Sequence, residues 1–407
     1  MATFNLCGTV SMSKDSDKFH PFEVIDSQTG SGWQMIRTKF NVKEKDSRHF
    51  VSIEGGKFKD EHNVIYIKPE DEKNLPKCVQ KREKDGKTSY YVNFADRKNP
   101  DVVAIVPRYN KYLLDLNTPE LRYVLDGIGE KLKSGDSLNP DELKALGVAT
   151  EAEAQAAYDK AIRRKAEFLH EWDFAEAVKK AFDAGLFEGK KVLVSGVISH
   201  SYGTKAGRIY ENYTVNSIRL ANADAEEYGH MNVDFLYGEG AVNDALDDKL
   251  VVNGYYMDYI GKPINAQTPI KLSFAFPFDS DTADKAKKIA ERFENDGDKM
   301  KSRKLVLDII NGSPKIEITD DMLTDEQRED LEFGLITKED LIAELGDSVR
   351  GENVSELRFS KFGRGGSTAE TTAYTPDQMV FKGVSDNTSE APAANTTSGS
   401  DDDIALW

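Results

Sequence analysis

The run GWQMIRTKFNVKEKDSRHFVSIEGG concentrates the residue types that can grip a flexible polyanion. It resolves into two strands joined by the loop Glu44, Lys45, Asp46 and Ser47. Because side chains alternate along a strand, Ile36, Thr38, Phe40 and Val42 share one face, and Arg37, Lys39 and Lys43 share the other. Pairing Lys43 with Arg48 sets Val51 and Ile53 beside the apolar face and Arg48 and Phe50 beside the basic one. Trp33 and Met35 extend that surface at one end. Cations neutralise phosphates and flat rings receive unstacked bases, which are the two needs of a single-stranded nucleic acid. An ordinary solvated strand face also carries Lys and Arg, so the run alone does not decide.

Two further segments repeat the chemistry. In KCVQKREKDGKTSYYVNFADR, Asp85 and Gly86 between two strand-like runs signal a type I′ hairpin. Lys77, Lys81, Arg82, Lys84 and Lys87 line its arms and tip, and Tyr90 and Tyr91 stand at its base. A cationic hairpin suits a clamp on a polyanion, although lysines also keep a plain loop soluble. Later, Tyr202, Lys205, Arg208, Tyr210 and Tyr213 surround the turn from Gly203 to Gly207, with Arg219 nearby. Residues 1–116 carry a net +3 within a chain of −17, which sets this region apart electrostatically.

The elements that position these residues follow from texture. Residues 1–116 alternate apolar and polar positions between Gly, Asp and Asn punctuation, the pattern of short antiparallel strands. Residues 117–185 turn rich in Ala, Leu, Glu and Lys and read as a helical connector, with one long helix opening near Thr150. Strand character returns over 186–280, where a parity change in the run Tyr213 to Leu220 calls for a bulge near Asn216 or Ser217. Residues 281–346, including SRKLVLDIING, read as mostly helical. Residues from about 347 to 407 lose periodicity and read as a disordered linker and acidic tip. The expected fold is α+β: one or two small Greek-key β-barrels of the oligonucleotide-binding kind, or a sandwich, with helical insertions and a disordered acidic tail. The two β-modules would be distant structural copies.

The chain ends in Asp401, Asp402, Asp403, Ile404, Ala405, Leu406 and Trp407. This tip resembles that of bacterial single-stranded DNA-binding proteins, which ends in three aspartates, an isoleucine, a proline and a terminal phenylalanine. Here Ala405 stands where that family has proline, Leu406 is inserted, and Trp407 replaces phenylalanine. In that family the tip docks on replication and repair proteins, and the resemblance implies the same role for these seven residues. Physically, a terminal aromatic with its carboxylate fits an apolar pocket rimmed by cations. The layout of the body is similar to that of the larger single-stranded DNA-binding proteins of bacteriophages.

Composition bounds the alternatives. With 407 residues, 39% of them hydrophobic, the chain can bury more than one core. A net charge of −17 argues against a surface that is basic throughout. Only Cys7 and Cys78 are present, without a CxxC, so neither a disulfide framework nor a zinc site is supported. No leader pattern and no long apolar run occur, which points to the cytoplasm of a bacterial host cell and to no membrane partner. Walker, GxGxxG, GxSxG and HExxH motifs are missing, and His230, Asp234 and Glu239 form only a weak candidate for a nuclease metal. The sequence therefore points to a non-enzymatic protein, without cofactor or metal, that coats single-stranded DNA during phage replication, recombination or repair. A metal-dependent nuclease and an acidic structural or adaptor protein are the alternatives. Oligomeric state stays open.

Overall fold

The computed structural model describes residues 1–27, 30–59, 63–84, 86–204, 206–243, 246, 249–313, 323–337 and 353–381. Strands β1 (Ala2–Ser11), β2 (Phe22–Asp26), β3 (Trp33–Glu44) and β4 (Ser47–Phe58) come first. Strands β5 (Val64–Ile67), β6 (Gln80–Lys84) and β7 (Lys87–Asn93), helix α1 (Pro100–Ile105) and strand β8 (Tyr112–Asp115) follow. Helices α2 (Pro119–Ser134), α3 (Pro140–Leu146) and α4 (Glu151–Ile162) lead through β9 (Lys165–Phe168) to helix α5 (Glu171–Asp183) and the strands β10 (Lys191–Gly203) and β11 (Arg208–Leu220). The remainder holds β12 (Tyr228–Tyr237), β13 (Val242–Asn243), β14 (Lys249–Ile260), β15 (Ala266–Pro277), α6 (Ala283–Ala290), β16 (Lys301–Gly312), α7 (Asp325–Glu332), β17 (Val354–Phe362) and β18 (Glu370–Thr371).

Among the described residues, fifteen strands join in one mixed sheet, and β5, β7 and β6 form a separate small one. This corrects the expectation of one or two small Greek-key barrels: the two halves share a ladder and do not stand apart. The join is β1, whose residues Thr3 to Cys7 pair with β12 on one edge while β10 holds the other. Farther along, β1 turns to pair with β3 through Thr9↔Lys43. Gly8 sits at that crossing, where a Cβ would lie 2.1 Å from the Lys43 carbonyl oxygen, so no larger residue fits without moving backbone.

The pairing of the first half recurs in the second. β1 pairs with β3 and β10, and β12 pairs with β14 and β16. β4 adjoins β11 in parallel at Ser52 and Thr214, and β15 adjoins β17 in parallel at Ala275 and Arg358. In each half the last strand carries one extra residue two positions beyond that bridge: Asn216 in β11, where a bulge was expected, and Ser360 in β17. A helix, α5 or α6, lies between the third and fourth of these strands. The halves are thus copies in their ladder pattern, but the first copy is built from residues of 1–58 and 171–220. The expected divisions at 116 and 185 follow composition, and the ladder runs across them.

One apolar core spans both copies, including Phe4, Phe40, Val51, Phe174 and Val215 from the first and Phe235, Val252, Phe274, Phe293 and Leu307 from the second. α5 presents Phe174, Ala175 and Val178 to β3 and β4, and Thr38 donates its hydroxyl to the Ala175 carbonyl. Three sequence expectations change here. The long helix opening at Thr150 stops at Ile162, and Lys165–Phe168 becomes a strand beside β8. SRKLVLDIING is strand β16, because Arg303, Leu305, Leu307 and Ile309 bury one alternating face. The tail expected to be disordered from 347 contains β17 and β18, and the described residues run from 353 to 381. No helix among the described residues is long and apolar enough to cross a membrane.

Candidate nucleic-acid interface

The β3–β4 hairpin has the register read from sequence, Lys43 opposite Arg48 and Asn41 opposite Phe50, but its turn is only Lys45–Asp46 because Glu44 and Ser47 pair. Val42, Val51 and Ile53 are buried, which drives the other face outward. On that face Lys43, Arg48 and Phe50 are exposed, Phe50 at 38%. Phe19, from the segment between β1 and β2, tilts against Phe50 with ring centroids 5.9 Å apart. Two rings and two exposed cations therefore adjoin at this end of the hairpin.

The other end differs. Arg37 is buried, with Nη1 donating to Glu23 at 3.1 Å and Nε 2.9 Å from Glu54 in an ion pair too bent for a hydrogen bond. Lys39 is also buried, its Nζ 3.9 Å from Glu23 and 5.2 Å from the centre of the Phe19 ring. Both were expected to face a ligand. Sequence reading placed them on the correct side of β3 but missed β2, whose Glu23 stands opposite Arg37. Trp33 packs edge-on against Phe58 at 4.9 Å and covers Gly56, so it closes the end of the hairpin.

The small sheet sorts the second set. Lys84 pairs with Lys87, Arg82 with Ser89 and Gln80 with Tyr91, so Arg82, Lys84, Lys87 and Tyr91 share a face. Lys81 falls on the opposite face and pairs with Glu83 at 2.7 Å. That opposite face packs inward through Ile65, Ile67, Tyr90 and Val92. Gly86 takes φ +72°, as a two-residue turn needs, and Asp85 lies outside the described residues. Tyr66, which sequence reading missed, pairs with Tyr91, is 59% exposed and tilts against it at 6.0 Å. Its signal was the alternation of VIYI ahead of the hairpin.

At the β10–β11 hairpin, the Arg208 guanidinium lies over the Tyr210 ring at 4.6 Å, and Tyr202 leans on Phe381 at 6.2 Å. Lys205 lies outside the described residues, as do Asp401, Asp402, Asp403, Ile404, Ala405, Leu406 and Trp407. The weak metal candidate is not assembled: His230 pairs with Asp308 at 3.1 Å and stacks on Tyr228, and no group of three or more His, Cys, Asp or Glu able to hold a metal occurs among the described residues.

No family model matches the chain, and no curated protein matches it.

Proposed function

We propose that the chain is a sequence-independent single-stranded DNA-binding protein, of the kind bacteriophages use in replication and recombination, which recruits partner proteins through residues 401–407. The observation that carries this reading is the exposed end of the β3–β4 face, where Lys43 and Arg48 flank the Phe50 and Phe19 rings. Exposed cations supply phosphate contacts, and an exposed ring beside them supplies a platform that any base can use. The face of the small sheet with Arg82, Lys84, Lys87, Tyr66 and Tyr91 offers the same pair of contacts. The tip supports recruitment only through its resemblance to the bacterial proteins.

The two contact types separate by mutation. Phe50→Ala should weaken oligonucleotide binding by about 1–3 kcal/mol and leave the salt dependence nearly unchanged. Lys43→Gln with Arg48→Gln should flatten the slope of log affinity against log salt by about 1.4, at about 0.7 per phosphate for a single strand. Fluorescence titrations across a salt series measure both. Unaltered binding in both variants would remove this face from the proposal, and metal-dependent loss of the oligonucleotide would indicate a nuclease.

A further inference from the structure

A second cationic site lies on β11, beyond the bulge. Ser217 and Arg219 are two residues apart and project to one side of the strand, beside Ser195 and Leu193 of β10 and beside Leu113 and Asp115 of β8. The Ser217 hydroxyl and the Arg219 Nε are both buried without a hydrogen-bond partner among the described residues. The carboxylate adjacent to Arg219 in the ladder is already engaged. Asp115 accepts from Arg122 Nε at 2.9 Å and from the Asn117 amide at 3.0 Å.

Arg122 is fixed there by α2, whose Thr118 caps the first turn and whose Leu121, Leu125 and Ile128 are buried. Its second guanidinium arm binds the carbonyl of Leu220, next to Arg219. α2 also leaves Tyr123 87% exposed, and the turn before β8 carries Arg108, whose side chain has no partner among the described residues. Burial, then the like charges of Arg108 and Arg122, make the protonated form of Arg219 harder to hold than in an ordinary arginine. Leaving a guanidinium short of partners beside two others is costly unless an anion completes the set.

We propose that Ser217, Arg219 and Arg108 bind a backbone phosphate of single-stranded nucleic acid, with Tyr123 as the platform for an adjoining base. This rests on the nucleic-acid reading above and extends its path. Thr214, on the same face of β11, adjoins Ser52 of β4, which shares a face with Phe50. From the strand rise of about 3.3 Å per residue, Arg219 and Phe50 lie on the order of 20 Å apart along that floor. Ser52 itself is buried, and a strand of several nucleotides is long enough to span that distance.

The test is titration of the full chain with a fluorescent oligothymidylate, for the unaltered protein, Arg219→Gln, Arg219→Lys and Tyr123→Ala. Arg219→Gln should weaken binding about five- to tenfold at 50 mM salt and reduce the salt slope by about 0.7, the value for one phosphate. Arg219→Lys should keep most of the slope, and Tyr123→Ala should weaken binding with the slope unchanged. The melting temperature of Arg219→Gln should equal or exceed that of the unaltered protein, since a half-buried charge beside two like charges is removed. If Arg219→Gln does not fold, Tyr123→Ala on its exposed ring carries the test. Unaltered protein that binds, with Arg219→Gln and Tyr123→Ala indistinguishable from it, overturns this site alone. Failure of the unaltered protein to bind overturns the proposed function and this site together. Stabilisation by millimolar inorganic phosphate that Arg219→Gln abolishes, with oligonucleotide binding unchanged, would assign the site to a free phosphate and also overturn the inference.

Discussion

Lys43 and Arg37 stand on one face of β3, yet only Lys43 is open to a ligand. Arg37 neutralises Glu23 and Glu54, so its removal leaves two carboxylates facing each other in a partly buried place. Arg37→Gln should lower stability by about 1–3 kcal/mol, less than for a fully buried pair because Glu54 is 36% exposed, and should leave the salt slope of DNA binding unaltered. Lys43→Gln should do the reverse. Thermal denaturation beside oligonucleotide titration distinguishes them, and a flattened slope in Arg37→Gln would return that residue to the interface. Exposure cannot be read from parity alone: alternation assigns a side chain to a face, but what covers the face comes from elsewhere. Here it is β2 and Phe19, which lie about fifteen residues before Arg37 and Lys39 and carry no signal of where they dock.

At the scale of elements, the two copies are fastened by a network between β10, β11 and β14, centred on the buried His200 and Asp258. His200 Nδ1 meets Asp258 at 2.8 Å, the Tyr256 hydroxyl lies 3.1 Å from Nε2, and Glu211, itself bonded by Tyr213, lies 3.7 Å from the same nitrogen. Burial works against the imidazolium, but the bonds to Asp258 and Glu211 outweigh it and raise His200 above the ordinary imidazole value. A raised folded value means that the stabilisation is complete below about pH 6.5 and fades as pH rises through that raised value. The stability gap between the unaltered protein and His200→Gln, measured by denaturant melts, should be larger at pH 6 than at pH 9; a gap that widens toward pH 9 would contradict this assignment. Sequence reading found the hairpins and the bulge of the first copy, because turn residues and parity are local signals. It missed that β10 and β11 belong with β1, since about 130 residues separate them from β4. It also took β16 for helix, an apolar run too short for periodicity to decide.

At the scale of the molecule, a chain of net charge −17 that binds single strands as proposed would confine its attraction for phosphate to a path, for which its acidic C-terminal residues would compete. Residues 385–407 hold acids but no Lys or Arg. Deleting 401–407 should strengthen DNA binding modestly, most at low salt, and abolish partner capture, while Trp407→Ala should lose partners and keep the competition. Pull-downs from host extract alongside titrations would show this, and identical partner sets for all three proteins would remove the recruiting role. The central claim is single-strand binding through cations and rings. Its most direct test is a titration of the unaltered protein with single-stranded and duplex oligonucleotides of equal length, from 50 to 200 mM salt. With about five phosphates neutralised, the account predicts a preference for the single strand and roughly a hundredfold loss of affinity over that range. A duplex bound as tightly as the single strand, or an affinity that salt leaves unchanged, would contradict it.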